Sequence, residues 1–144
     1  MGARGISREA ALQMLFALEA SAATCEQVIA SYWRTTDPDM WGSGGPDADS
    51  RAYADLLVRG VAEELGPVDE AIRRASTNWR LERMARVDRN VLRLGTWELM
   101  RQRSVPRAVV LDEAVELAKR YGTEDSGAFV NGVLDRIADD LAVV

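Results

Sequence analysis

The sequence predicts an all-α fold of about seven short helices. Apolar residues recur at helical spacing through most of the 144 residues, and no stretch alternates with period two for long enough to form a strand. Glycine and proline fall mainly between the periodic segments, where they separate helices. The length fits one domain, residues 1–144, and 47% apolar with 28% charged residues is typical of a globular protein.

Two helices are expected before residue 35. Ser7 is a candidate N-cap for the first helix, because a serine oxygen there accepts a hydrogen bond from a free amide of the first turn. Its apolar side carries Ala11, Leu12, Leu15, Phe16 and Leu18. Thr24 is a candidate N-cap for the second helix, which carries Val28, Ile29, Tyr32 and Trp33. The stretch 35–50 contains two prolines and three glycines and predicts a loop.

The third and fourth helices follow this loop. The third carries Tyr53, Leu56, Leu57 and Val61, and we expect it to end at Gly66-Pro67. Pro67 suits the first turn of the fourth helix, where a missing N–H costs no helical hydrogen bond. The fourth helix carries Val68, Ala71, Ile72 and Ala75.

Three longer helices complete the chain. The fifth, from about Met84 to Gln102, has neighbouring lines of Val87, Val91, Leu94 and Glu98, and of Leu92, Gly95 and Leu99. The sixth begins at Ser104-Val105-Pro106 and ends at Tyr121-Gly122, a C-cap pattern. The seventh, capped by Asp125 or Ser126, carries Phe129, Val130, Val133, Leu134, Ile137 and Leu141.

Composition excludes several classes of function. The chain has no His and one Cys, which excludes His-based acid–base catalysis, Cys–His nucleophile pairs and zinc sites of the usual type. Cys25 has no partner for an intrachain disulfide, which favours a reducing compartment. There is no apolar run long enough to span a membrane and no signal peptide, so we expect a cytoplasmic protein without membrane contacts.

Two short patterns that could bind ligands are incomplete. The glycine-rich segment 42–45 lacks the Lys-Ser/Thr ending of a phosphate-binding loop. The aspartates in the stretch 35–50 miss the spacing of a calcium loop. We therefore expect no metal, no cofactor and no catalysis.

The charges are unevenly distributed. The formal net charge is −5, yet residues 73–107 carry ten Arg and a net charge of +7, between acidic segments of −7 (37–72) and −5 (108–144). Such an asymmetry can localise a polyanion. The alternative is that these arginines pair with the surplus acids on a solvated surface, which contributes little energy.

Two further features allow more than one interpretation. Trp79 and Trp97 occupy amphipathic positions and predict core or rim packing. Gly127 and Gly132 lie inside the first turns of the last helix, where each glycine costs about 1 kcal/mol relative to alanine. Either close helix packing or backbone approach by a partner would offset that cost, and the sequence leaves both open.

Several strings together resemble the NusB family of bacterial transcription factors, in order from about Ser7 to Leu141. They are SREAALQMLF (7–16), VDRNVLRL (87–94), VP (105–106), DEAVELAKRYG (112–122) and SGAFVNGVLD (126–135). The combination of the last two is highly specific. The resemblance implies two small perpendicular helical bundles, roughly residues 5–80 and 81–144. It also implies binding of boxA RNA together with the ribosomal protein NusE in an RNA polymerase antitermination complex, with no catalysis and no cofactor.

The resemblance also suggests the binding residues. Arg4 and Arg8 match the family's arginine-rich N-terminal arm, which contacts RNA phosphates, and Arg93 is added from the Arg-rich segment. Phe16 and Asp88 fall where the RNA and NusE surfaces of the family lie. Asp125 and Phe129 fall where a base could be hydrogen-bonded and stacked, as single-stranded RNA recognition requires.

Two alternatives remain at this stage. A similar RNA-binding domain fronts some RNA methyltransferases, and a homodimeric helical scaffold without an RNA role would also fit the helices. The sequence does not distinguish a monomer from a homodimer.

Overall fold

The computed structural model describes residues 3–42 and 44–143, and within them the chain forms seven α-helices and no strand. The helices are α1 (Ala3–Ala20), α2 (Cys25–Thr35), α3 (Ala48–Glu63), α4 (Leu65–Ala75), α5 (Arg86–Arg101), α6 (Arg107–Tyr121) and α7 (Ser126–Asp140). Two short 3-10 helices, Pro38–Trp41 and Leu81–Arg83, lie between them. The all-α prediction is confirmed. In the described part of the chain no helix is both long and apolar enough to cross a membrane.

The start of α1 differs from the sequence prediction. Ser7 is not an N-cap but lies one turn inside the helix, fully buried, where its hydroxyl donates a 2.9 Å hydrogen bond to the Ser50 carbonyl. Arg4 extends the helix towards the N-terminus, and its guanidinium lies 4.0 Å from the centre of the Tyr53 ring. Helix α1 therefore starts earlier than predicted, and its first residues contact α3. Rules for local N-caps do not report contacts with a segment that is distant in sequence.

The start of α2 matches the prediction. The Thr24 hydroxyl accepts from the Gln27 amide at 3.2 Å, and the Gln27 side chain accepts from the Thr24 amide at 2.9 Å. This reciprocal pair is a capping box. The predicted loop 35–50 is shorter than expected, because Pro38–Trp41 forms a 3-10 turn capped by Asp37 and α3 already begins at Ala48.

The break between α3 and α4 comes earlier than predicted. The third helix ends at Glu63, and Gly66 and Pro67 both lie in the first turn of α4. The place of Pro67 in that turn is confirmed, since a proline there removes no helical hydrogen bond. The predicted ends of α5, α6 and α7 agree with the structure within two residues.

The described residues up to Ala62 form one compact unit. Its core consists of apolar side chains from α1, α2 and α3, including Leu12, Met14, Val28, Leu57 and Val58. Polar side chains join the same helices: the Tyr32 hydroxyl donates to Gln13 at 2.7 Å, and the Trp33 indole donates to Asp55 at 2.7 Å.

The residues from Glu63 onwards form a second unit of α4, α5, α6 and α7. This division places α4 with the C-terminal helices, whereas the expected boundary near residue 80 placed it with the N-terminal ones. The core of the second unit includes Val68, Ile72, Leu92, Leu99, Leu117, Leu134 and Ile137. At Gly95, helices α5 and α7 approach so closely that a Cβ atom on this residue would lie 2.8 Å from Cδ1 of Leu134.

Candidate nucleic-acid interface

The second unit contains a cavity of about 430 Å³ where the start of α5 meets the start of α7. We call it the Phe129 cavity. Its lining consists of Trp79, Arg83, Met84, Ala85, Asp88, Thr123, Asp125, Ser126 and Phe129. Three of the seven residues predicted from the sequence, Asp88, Asp125 and Phe129, therefore line one cavity although they are up to 41 positions apart.

Two aromatic rings form the apolar part of the Phe129 cavity. Phe129 is half-buried in the first turn of α7, and its ring meets that of Trp79 edge to face, with 6.0 Å between centroids and an interplanar angle of 81°. Trp79 is 63% exposed, whereas Trp97 is 5% exposed and belongs to the core. The expectation of core or rim packing for both tryptophans missed the place of Trp79 in the cavity wall. Its position inside the Arg-rich segment 73–107 was the available signal.

The polar part of the cavity contains an unsatisfied acceptor. Asp88 lies in the first turn of α5, and its Oδ1 atom is buried without a hydrogen-bond partner among the described residues. A buried acceptor without a donor carries a desolvation cost that a bound donor would relieve. Asp125 is exposed at the N-cap position of α7, and its side chain makes no capping hydrogen bond. The Asp125 carboxylate is therefore open to N–H donors of a ligand, and the buried Asp88 oxygen still lacks a donor.

The predicted N-terminal arginines lie in the first unit, on α1. The Arg4 side chain is half exposed and forms a 3.6 Å ion pair with Asp49. Arg8 is only 4% exposed, and its guanidinium lies 5.8 Å from the centre of the Tyr53 ring. Of the two, only Arg4 has a guanidinium open to a phosphate in this conformation.

The other two predicted residues also differ in setting. Phe16 is half-buried on α1 in the first unit. Arg93 forms a two-point ion pair with Asp69 of α4, at 2.9 and 3.1 Å, and both side chains are largely buried. Arg93 does not line the Phe129 cavity.

The Arg-rich segment divides into paired and unpaired side chains. At least five of its ten arginines form ion pairs with acids: Arg73, Arg74, Arg93, Arg101 and Arg107. Pairing with acids therefore accounts for at least five of these arginines, and four of the five pairs lie on the surface. Arg80 and Arg83 are exposed and form no ion pair with any residue that the structure describes, so they remain open to a polyanion.

No set of side chains suited to metal binding was found within residues 3–42 and 44–143. Several shifted pKa values arise at ion pairs on the surface. The Arg101 guanidinium and the Trp97 indole hydrogen-bond to Glu64 and hold the pKa of that carboxyl below its ordinary value of 4.5. This cluster joins α4 to α5 and does not touch the cavity.

Comparison with known proteins gives the chain a family. The family model described as the NusB family matches residues 6–139. A transcription antitermination protein NusB from Sorangium cellulosum is 68% identical over 144 residues, which is 100% of this chain and 97% of that protein. The protein of the same description from Myxococcus xanthus is 48% identical over 96% of each chain.

Solved structures agree with the sequence match. A structure of T. maritima NusB is 39% identical, with a TM-score of 0.76 over 96% of this chain and 89% of that chain. A crystal structure described as antitermination factors NusB and NusE in complex with dsRNA contains a chain 26% identical, with a TM-score of 0.84 over 97% of this chain and 98% of that one. The chain belongs to the NusB family.

Proposed function

We propose that this chain is a transcription antitermination factor that binds boxA RNA together with NusE, as part of an RNA polymerase antitermination complex. Its relatives at 68% and 48% identity are described as transcription antitermination proteins. A chain with a TM-score of 0.84 occurs in a structure described as NusB and NusE in complex with dsRNA. We further propose that the protein works in the cytoplasm as an adaptor, without catalysis of its own.

The Phe129 cavity is the observation that carries this proposal. It combines two aromatic rings, a buried carboxylate oxygen without a donor and the unpaired guanidinium of Arg83. Single-stranded RNA offers the complement of each: a base to stack, base N–H groups to donate and phosphates to pair. In this proposal Phe129 stacks a base, and Asp88 and Asp125 accept hydrogen bonds from base edges.

The remaining predicted residues take different roles. Arg4 contacts phosphate, because its guanidinium is half exposed and its pair with Asp49 is long. Arg8 and Arg93 position the neighbouring elements, since Arg8 is buried beside Tyr53 and Arg93 is held by Asp69. Phe16 contributes to the contact with NusE or RNA from the first unit.

A gel shift with boxA RNA, with and without NusE, tests the proposal directly. We expect a shift with boxA RNA that is stronger when NusE is present, and a weaker shift with a scrambled RNA of equal length. Folded protein that shifts neither RNA in either condition would rule the proposal out. Native mass measured in the same samples distinguishes a monomer from a homodimer. If the protein is a homodimeric scaffold without an RNA role, addition of RNA should leave the measured mass unchanged.

A further inference from the structure

Trp79 separates the Phe129 cavity from a second cavity of about 360 Å³, which the proposed function does not use. The second cavity is lined by Arg73, Ser76, Thr77, Trp79, Arg80, Leu81 and Glu82. Both volumes fall in the range of roughly 300–1,000 Å³ that is typical of ligand sites. Trp79 belongs to both linings and is the most exposed large apolar side chain among the described residues, at 63%.

The two cavities share a pattern of charge. Each contains one exposed arginine without an ion pair to a described residue: Arg83 in the Phe129 cavity and Arg80 in the second. The other arginine of the second cavity, Arg73, is held by Glu82 at 2.9 Å. A ring between two guanidiniums that form no ion pair with a described residue is the arrangement that a single strand of nucleic acid fits, with stacking on the ring and phosphates on the cations.

We propose that the RNA path continues from the Phe129 cavity across Trp79 into the second cavity. Trp79 stacks the base next to the one on Phe129, and Arg80 holds the phosphate of that nucleotide. The exposed hydroxyl of Thr77 faces no described partner and offers a hydrogen bond to the sugar or base. This inference rests on the proposed function and adds a second nucleotide site to it.

The two edge-to-face rings explain why stacking on both is compatible. An interplanar angle of 81° means that the planes of Trp79 and Phe129 are nearly perpendicular. Bases stacked on the two rings therefore also turn relative to each other, as they do when a single strand is splayed rather than helical. This arrangement of the rings fits the bases of an unstacked single strand.

Abasic RNAs provide the test. A set of fluorescently labelled boxA RNAs, each lacking one base, is titrated by anisotropy in the presence of NusE. For the wild-type protein we expect two neighbouring positions at which loss of the base weakens binding by about tenfold. Trp79→Ala should weaken binding of intact RNA by about tenfold and abolish the further loss at one of these positions. Phe129→Ala should do the same at the other position, and Trp79→Phe should retain most of the affinity.

Arg80 has its own measurement and control. Arg80→Ala should reduce the slope of log affinity against log salt by about 0.7, the value for one phosphate contact on a single strand. Arg34→Ala is the matched control, since Arg34 is exposed on α2 and forms no ion pair with a described residue. Its slope should equal that of the wild type.

The outcomes separate this inference from the proposed function. If wild-type protein with NusE does not bind boxA RNA, the proposed function fails. If it binds and Trp79→Ala leaves the abasic profile unchanged, only the second nucleotide site is refuted. A Trp79→Ala protein that loses affinity for NusE in the absence of RNA would assign this surface to a protein partner and would also refute the site. Thermal unfolding confirms that each variant is folded.

Discussion

Phe129 can lose its ring without loss of the fold, because the side chain is half-buried at a cavity wall. We expect Phe129→Ala to lower affinity for boxA RNA by tenfold or more, since a stacked base is worth on the order of 1–3 kcal/mol. Affinity for a scrambled RNA should fall less. Anisotropy titrations with both RNAs at fixed salt measure the difference.

Stability is the control for Phe129. Truncation of a fully buried Phe costs about 3–5 kcal/mol, and a half-buried ring should cost less. A folded Phe129→Ala protein that still prefers boxA over scrambled RNA as strongly as the wild type would contradict the stacking role. The family assignment and the fold would be unaffected.

Arg4 and Arg8 show how burial separates two residues of the same type four positions apart. Arg4→Ala should weaken all RNAs alike and reduce the slope of log affinity against log salt by about 0.7, because phosphate contacts carry no sequence information. Arg8→Ala should leave that slope unchanged and lower the free energy of unfolding, since Arg8 is 4% exposed beside Tyr53. Equal salt slopes for wild type and Arg4→Ala would remove Arg4 from the interface.

At the scale of the elements, two glycines offer a matched pair of substitutions. Gly95→Ala places a Cβ 2.8 Å from Cδ1 of Leu134, which is fully buried, so the Leu134 side chain or the helix has to shift. Overpacking costs about 1–3 kcal/mol and exceeds the helix propensity of about 1 kcal/mol that alanine contributes. We expect net destabilisation of about 1 kcal/mol by urea unfolding.

Gly132→Ala should have the opposite effect on stability. A Cβ atom at Gly132 meets nothing within 4 Å, so alanine should stabilise α7 by up to about 1 kcal/mol. The same variant tests whether a partner approaches the backbone there. Weaker binding of RNA or NusE by a stabilised Gly132→Ala protein would support that approach, and unchanged binding would exclude it. Gly127 differs from Gly132. A Cβ atom at Gly127 would lie 3.3 Å from the Lys119 side chain, so close packing explains why a glycine is present there.

The elements were largely predictable because their signals are local. The roles of Thr24 and Pro67 depend only on the neighbouring residues of one helical turn, and both residues lie at the predicted place in that turn. Ser7 is different, since its partner is the Ser50 carbonyl 43 positions away and no local pattern reports it. The short 3-10 helices were missed for a related reason: one turn has too few residues to show a period.

On the scale of the whole molecule, the ion pairs make stability depend on pH. Arg101 lowers the pKa of Glu64, and Arg59 lowers that of Glu26, both from an ordinary value of 4.5. A lowered carboxyl pKa stabilises the fold at pH above the unfolded value, and that contribution is lost as pH falls through the folded value. We expect the free energy of unfolding to fall below about pH 4.5, and to fall less steeply in Glu64→Gln. If the free energy of unfolding falls equally steeply in the wild type and in Glu64→Gln as the pH is lowered, this role of Glu64 is contradicted.

The site was only partly predictable, and the missing part depends on tertiary structure. Asp88, Asp125 and Phe129 came from the family resemblance, and only the fold shows that they share a cavity. The exposure of Trp79 could not be deduced, because an amphipathic pattern does not say whether a ring faces the core or the rim. The burial of Arg8 was hidden in the same way, since the ring that covers it comes from α3.

The charge of the whole chain predicts how it depends on its partner. The net charge is −5, and at least five of the ten arginines in the basic segment are bound to acids, so fewer cations remain for phosphates. Acidic segments repel RNA over about a Debye length, roughly 8 Å at physiological salt. We therefore expect NusE to tighten binding of boxA RNA by adding contacts of its own. As the salt concentration rises, the factor by which NusE improves affinity should decrease less than the affinity of the isolated protein does. Anisotropy titrations at two salt concentrations, with and without saturating NusE, measure both effects. Equal affinity with and without NusE would mean that this chain binds boxA RNA without help from NusE.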